Sequence, residues 1–330
     1  SADIGRVQMQ AGAVGVCVQK TSEAEALIDH GASRVLISNQ VIAPQKLVRV
    51  ANLAQRVAGR GGQLGIVVDS LHGIAALASA MQLVSAQIDV YVEINVGQSR
   101  CGVPPGEAAV PLVQAIARYA SMRFAGLQAY NGRLQHLRSM AERRAAVQQV
   151  ASHLQATRDA LAAAGFEVPL VTGGGTGAFG LEVASGQYGE IQAGSYIFLD
   201  AEYAENERDP SQPEFEHSLF VLTQVISVSD THAVCDAGHK SHAIDAGLPT
   251  VLPMAGQPAL KFANGGDEHG ILRSADGSGA LPQIGDLLWL VPGHCDPTVN
   301  LHNHIQGVRG GLQHGVVEHL IRVDARGCVQ

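Results

Sequence analysis

Short apolar runs of strand length alternate with alanine-rich stretches of helical period through the first part of the chain. Ala2 to Ala11 reads as a helix, so the chain opens on a helix with no strand before it. Ala13-Val14-Gly15-Val16-Cys17-Val18 follows as an apolar run of strand length. Thr21-Ser22-Glu23-Ala24-Glu25 then supplies a hydroxyl cap with acidic residues in the first turn, and Gly31 stops the helix. Strand-like runs recur at Arg34 to Ser38, Leu64 to Asp69, Ile88 to Val96, Arg123 to Tyr130, Val168 to Thr172 and Glu190 to Ala193, and helices are predicted over Lys46 to Ala58, Ala108 to Ala120 and Met140 to Ala164. Continuous Val/Ile runs alternating with helices predict parallel strands buried on both faces. Seven strands are counted, one short of the eight that close a (β/α) barrel. The expected α/β fold is therefore a TIM-type (β/α)8 barrel whose first strand lies before Ala2, in preference to a doubly wound open sheet.

From Ala201 to Glu216 the composition turns acidic and polar with two prolines, which predicts a domain boundary. The helical period then disappears. His217 to Ser229, His232 to Ala237, Gly285 to Val291, Asn303 to Val308 and Gly315 to Val323 read as strands between Gly/Pro/Asp turns. The expectation is a barrel domain over residues 1–205 and a C-terminal β domain over 206–330.

Composition narrows the function. The chain has 330 residues, 46% of them hydrophobic, enough for a barrel and a smaller domain. No apolar run of about 18 residues and no charged-then-apolar leader is present, so neither a membrane span nor a signal peptide is expected. A net charge of −8 with 22 Lys+Arg and no basic cluster argues against nucleic acid as a partner. Five cysteines, without a Cys-x-x-Cys pair, suggest reduced thiols in the cytoplasm.

Two neighbouring corners are candidates for holding a phosphate. Val171-Thr172-Gly173-Gly174-Gly175-Thr176-Gly177 ends one strand on glycines that can turn backbone N–H groups toward an anion, and Gln192-Ala193-Gly194-Ser195-Tyr196 ends the next. A flexible loop is the competing reading of the first. In a barrel the reactive groups come from the carboxyl ends of strands. Those ends carry Gln19, Asn39, Asp69, Asn95 to Arg100, Gln128 to Tyr130 and the loop to His136. Arg100 can hold an anionic ligand oxygen or a surface carboxylate, and Tyr130 can face a flat ring. In the β domain, His294 and Asp296 point the same way if the stretch is extended, and together suit a divalent ion such as Mn²⁺, Mg²⁺ or Zn²⁺. A turn in which Asp296 bonds backbone N–H groups beside Pro297 is the alternative.

Gly12 to Lys20, Val96 to Val103, Gly126 to Tyr130, Thr172 to Gly177, Gln192 to Tyr196, Asp267-Glu268-His269-Gly270 and Pro292 to Thr298 resemble, in order and over nearly the whole chain, the D-threonine aldolase family. That family includes 3-hydroxy-D-aspartate aldolases and, more distantly, metal-dependent D-serine dehydratases. The resemblance implies an alanine-racemase-like fold: a barrel binding pyridoxal 5'-phosphate (PLP), a C-terminal β domain and a homodimer with sites near the interface. It implies that Gly174, Gly175, Thr176, Gly194, Ser195 and Tyr196 lie against the PLP phosphate, that Arg100 meets the phenolic oxygen, and that Gln19 and Tyr130 frame the ring. His136 matches the family's catalytic base, and His294 and Asp296 match its metal ligands. In the dehydratase branch a cysteine stands where Asp296 stands and the metal is zinc, so the carboxylate implies the aldolase branch with Mn²⁺ or Mg²⁺. The expected reaction is retro-aldol cleavage of a D-3-hydroxy amino acid to glycine and an aldehyde. The alternatives are a D-serine or D-3-hydroxyaspartate dehydratase on the same scaffold and a PLP carrier. None of Lys20, Lys46, Lys240 and Lys261 stands in the family's Schiff-base motif, and that lysine is expected upstream of Ser1.

Overall fold

In a computed structural model describing residues 1–330, seven strands form one sheet. They are β1 (Val16–Val18), β2 (Arg34–Ile37), β3 (Gln63–Val68), β4 (Ile88–Glu93), β5 (Met122–Ala129), β6 (Val171–Gly173) and β7 (Glu190–Ile191). Their order is sequential and every neighbouring pair is parallel. A doubly wound sheet would reverse its order at a switch point. This one does not, so the architecture is the barrel type, with β1 and β7 as its two edges.

The connecting helices are α1 (Ala2–Gln10), α2 (Thr21–Asp29), α3 (Pro44–Ala58), α4 (Leu71–Met81), α5 (Val110–Ile116), α6 (Met140–Ala163) and α7 (Phe179–Ala184), with α1 preceding β1. In α3 the buried residues Leu47, Val50, Leu53, Ala54 and Val57 repeat at three- and four-residue spacing, one apolar stripe facing the core. Leu64 to Val68 of β3 is buried without interruption, because parallel strands are covered on both faces. Ser70 starts α4 by accepting the Gly73 N–H at 3.1 Å. Between β4 and β5 the register shifts at Val90/Tyr91, setting Tyr91 opposite Gly126. Gly126 has φ +145°, and a Cβ there would run into the Leu170 carbonyl, so only glycine fits.

Because the strands are parallel, their carboxyl ends lie along one edge. Gln19 follows β1, the Asn95–Arg100 loop follows β4, Tyr130 follows β5 and Gly174 follows β6.

Contacts divide the chain into one unit of Ser1–Ala193 with Gln306–Gln330 and a second of Gly194–Ile305. The division thus falls before residue 205. The last stretch belongs with the first unit because Asp324 accepts the Ala2 N–H at 2.8 Å and the Gln330 carbonyl accepts the Ser22 hydroxyl at 2.7 Å. The second unit holds α8 (Ala201–Ala204), β8 (Val221–Val228), β9 (Ala233–Cys235), β10 (Thr250–Val251), β11 (Leu260–Asn264), β12 (Gly270–Ser274), β13 (Leu287–Val291) and α9 (Cys295–Leu301). Its six strands pair antiparallel in the order β10-β13-β8-β9-β12-β11 around Val225, Ala233, Cys235, Leu272, Leu288 and Leu290. β14 (His304–Arg309) and β15 (Val316–Arg322) form a separate pair.

One local expectation fails. The His294–Asp296 stretch is not extended: only His294 is, at φ −146° and ψ 123°, and it caps α9, whose first turn contains Asp296. Pro297 permits this because N–H groups in a first helical turn have no intrahelical partner.

Candidate active site

At the carboxyl edge of the sheet, two loops are knitted together. Asn95 Oδ1 accepts the N–H groups of Gly97 (3.2 Å) and Ser99 (3.0 Å), folding the loop back so that Ser99 takes φ +54°. Gln98 Oε1 accepts the Arg133 N–H at 3.1 Å, and buried Asn131 donates to the Val96 carbonyl at 3.3 Å. These bonds carry the loop to the short helical turn Arg133–His136, at whose end His136 is exposed. The exposed Arg100 guanidinium lies 5.8 Å from the Tyr130 ring centroid, a cation–π arrangement. Burial raises the pKa of Glu93 beneath the loop, opposed by a hydrogen bond from Gln40 and the positive charge of Arg100. Gln19 is exposed at the end of β1 and donates to Ser38 Oγ at 3.0 Å.

The Gly173–Gly177 corner is shaped from below. Gly173 and Gly174 adopt φ +153° and +73°. Glu182 of α7, 1% exposed, accepts the Gly175 N–H through Oε2 at 3.0 Å and the Gln135 amide through Oε1 at 2.9 Å. Gln135 in turn accepts the Ala178 N–H at 3.0 Å. A Cβ on Gly174 would sit 2.5 Å from Glu182 Oε2, and one on Gly175 would sit 2.8 Å from Gln135 Cδ. The glycines are therefore required by the side chains packed beneath them, and the Gly175 N–H points inward. Burial pushes the Glu182 carboxyl up to about 7, against the pull of the Gly175 and Gln135 donors. Beside the corner, Gln128, Gln192, Thr172 and Glu190 form a hydrogen-bonded layer, with Thr172 Oγ1 donating to Glu190 at 2.6 Å.

In the second unit, Gly194 is open where a Cβ would project, Ser195 and Tyr196 begin a short helical turn, and the Tyr196 ring packs 5.6 Å from Phe215. His294 Nδ1 is 2.7 Å from Asp245 Oδ2, leaving Nε2 facing Asp296 Oδ2 at 4.0 Å. With ligand bonds of about 2.1–2.2 Å an ion shared at that separation would see the two atoms about 140° apart, so they must close by about 1 Å to take adjacent octahedral positions. No group of three or more His, Cys, Asp or Glu side chains stands in metal-binding geometry. An octahedral Mn²⁺ or Mg²⁺ that keeps several waters is compatible with two protein ligands. Buried Cys295 between them has its pKa raised by burial and by Asp200, so it stays a thiol. Fully buried Asp200 accepts the Tyr203 N–H (3.1 Å) and the Cys295 N–H (3.0 Å), capping α8 and pinning the start of α9.

Lys20 caps α2 beside Gln19, Lys46 lies on α3, Lys240 pairs with Glu268, and Lys261 lies on β11. At the opposite ends of the strands a polar cleft of about 340 Å³ opens between Arg34, Gln63, Asp89 and Arg123. Asp89 is already paired with Arg123 there at 2.6 and 2.8 Å, and the cleft gathers no nucleophile or base. Gln135, Glu182, Asp200 and Asp245 were not foreseen from the sequence.

Two protein families match. The one described as alanine racemase, N-terminal domain, matches residues 1–202, and the putative serine dehydratase domain matches residues 218–308. The 3-hydroxy-D-aspartate aldolase of Paracoccus denitrificans (strain Pd 1222) is 41% identical, over 99% of this chain and 82% of its own. The crystal structure of D-threonine aldolase from Filomicrobium marinum superposes with a TM-score of 0.92 at 44% identity, over 100% of this chain and 86% of that one. The D-threo-3-hydroxyaspartate dehydratase of Delftia sp. HT23 is more distant, with a TM-score of 0.80 at 26% identity over 98% and 87% of the two chains. With an alanine-racemase-like sheet, an antiparallel second unit and this degree of identity along its whole length, the chain belongs to the family of D-threonine and 3-hydroxy-D-aspartate aldolases.

Proposed function

We propose that the protein is a PLP- and divalent-metal-dependent lyase that cleaves D-3-hydroxy amino acids to glycine and an aldehyde. The observation that carries this reading is the 44% identity and 0.92 TM-score to a D-threonine aldolase, with a carboxylate, Asp296, beside His294. When bound, PLP supplies an electron sink and the divalent ion a Lewis acid. Arg100 offers a permanent charge to the phenolic oxygen, with its planar group kept in place by Tyr130. Gln19 and Tyr130 frame the ring. In the first unit Gly174, Gly175 and Thr176 are assigned to the phosphate, and in the second unit the resemblance assigns Gly194, Ser195 and Tyr196 to the same group. His136 takes the proton of the substrate β-hydroxyl. His294 and Asp296 hold the metal, Asp245 fixing the imidazole so that Nε2 is the free ligand atom. Lys20, Lys46, Lys240 and Lys261 are assigned no Schiff-base role.

The substrate is a small D-3-hydroxy amino acid of the threonine or 3-hydroxyaspartate type, and the metal is Mn²⁺ or Mg²⁺ in preference to Zn²⁺. We also infer a cytoplasmic homodimer. Five free cysteines support a reducing compartment, and no helix is long and apolar enough to cross a membrane. The test is glycine release by the full-length protein from D-threonine and 3-hydroxy-D-aspartate, with PLP and Mn²⁺, before and after EDTA. EDTA-sensitive glycine formation is expected. Ammonia and a 2-oxo acid in place of glycine would move the protein to the dehydratase branch.

A further inference from the structure

We propose that Glu182 and Gln135 are positioning residues that lock the Gly174–Thr176 corner to the turn carrying His136, so that phosphate binding and the base are set by one buried polar clamp. This rests on the reading of the corner as the PLP phosphate site and of His136 as the base. Gln135 is the residue immediately before His136 and is fully buried. Its side chain spans the gap: the amide group donates to Glu182, and the oxygen accepts the Ala178 N–H just beyond the corner. Glu182 closes the circuit by accepting the Gly175 N–H from the corner itself. A Cβ at 174 would collide with Glu182 and one at 175 with Gln135, so the clamp lies directly against the corner's backbone. A shift of the corner is thereby transmitted to the backbone of residue 135 and to its neighbour.

The donors and acceptors dictate a specific test. Glu182 offers two acceptor atoms to two donors, and Gln135 offers one of each. In Glu182→Gln one acceptor becomes a donor, and no amide orientation at 135 can satisfy Gly175, Ala178 and the new NH2 together. In Gln135→Glu two carboxyl groups meet, and they can keep the contact only by sharing one proton. In the double exchange E182Q/Q135E, the oxygen of the new amide accepts Gly175, its NH2 donates to the new carboxylate, and that carboxylate accepts Ala178. All three hydrogen bonds return.

The experiment measures PLP affinity by absorbance titration, kcat and KM in the full-length enzyme, and amide exchange of the 173–178 segment by mass spectrometry. Glu182→Gln should lose about tenfold or more in PLP affinity and in kcat, with faster exchange of the segment, and Gln135→Glu should lose as much once pH is high enough to remove the proton its carboxyl pair shares. The double exchange should recover both constants to within about threefold of wild type. A general loss of structure would not be repaired by swapping two side chains. Wild-type PLP affinity and kcat in Glu182→Gln, or a double exchange no better than the worse single variant, would overturn the clamp. If one single variant does not fold, the other and the double exchange make the same comparison. Should wild type release no glycine, the proposed reaction fails while PLP affinity still judges the clamp. Should PLP not bind either, segment exchange decides: protection lost in the singles and restored in the double supports the clamp, and equal exchange in all forms overturns it.

Discussion

Removing the carboxylate of Asp200 should unpin the start of the helix beside the proposed metal ligands. Asp200 is fully buried and is the acceptor for two backbone N–H groups, Tyr203 at 3.1 Å and Cys295 at 3.0 Å. In Asp200→Ala both donors are orphaned where the protein surrounds them. Each such loss costs about 1–3 kcal/mol, so the variant should be destabilised by about 2–6 kcal/mol. Asp200→Asn keeps one acceptor oxygen and sets an NH2 against the other N–H, so about half that loss is expected. Trp289, the sole tryptophan, lies on β13 of the same unit and makes the assay local. Urea unfolding followed by its fluorescence should show the midpoint falling in the order wild type, Asn, Ala, with the slope unchanged. The Mn²⁺ affinity should fall in the same order, because the proposed ligands His294 and Asp296 flank Cys295, whose N–H loses its acceptor. An Ala variant within about 0.5 kcal/mol of wild type would refute the reasoning, since surface substitutions already span that range.

Three further outcomes are expected. The Glu182 carboxyl, raised from 4.5 to about 7, binds its proton more tightly in the folded chain than in the unfolded one. Its contribution to stability is therefore greatest below pH 4.5 and is lost as pH rises through about 7, a difference of about 3 kcal/mol that Glu182→Gln should abolish in calorimetric scans between those limits. Asp245→Ala, which frees His294 Nδ1, should weaken Mn²⁺ binding about 10–100-fold by titration calorimetry, and unchanged affinity would remove Asp245 from that role. His136→Ala should lower kcat by about 10²–10⁴-fold while PLP absorbance still reports a bound cofactor. Near-wild-type turnover would assign the base elsewhere.

The parallel sheet was legible because its strands are buried on both faces and read as unbroken Val/Ile runs, as in Leu64 to Val68. The alternation with helices made the strands parallel but did not separate a sequential order from a doubly wound one, which the strand pairing decides. β11 was not legible: Leu260-Lys261-Phe262-Ala263-Asn264 is no more than half-buried, and Lys261 and Asn264 interrupt its apolar run. The start of α9 was misread because Gly293 and Pro297 signal a turn, whereas proline is also admissible in a first helical turn. The residues proposed to touch a ligand were read from strand ends and family motifs, both of which are local. The residues that hold them were hidden, because their partners are remote in sequence: Glu182 reaches back 47 positions to Gln135, Asp245 lies 49 from His294, and Asp200 lies 95 from Cys295.

The hydrogen bond from Ala2 to Asp324 spans 322 positions and sets a clock on biosynthesis. At about 5–20 residues per second, Asp324 is added roughly 16–64 s after Ala2. During that interval the strands can pair with their sequence neighbours as they emerge, while α1 lacks the carboxylate that receives its first N–H. The helix whose Gly5 approaches Val16 of the edge strand β1 is thus fastened last. A ribosome that stalls before Asp324 would leave α1 without this anchor for as long as it waits.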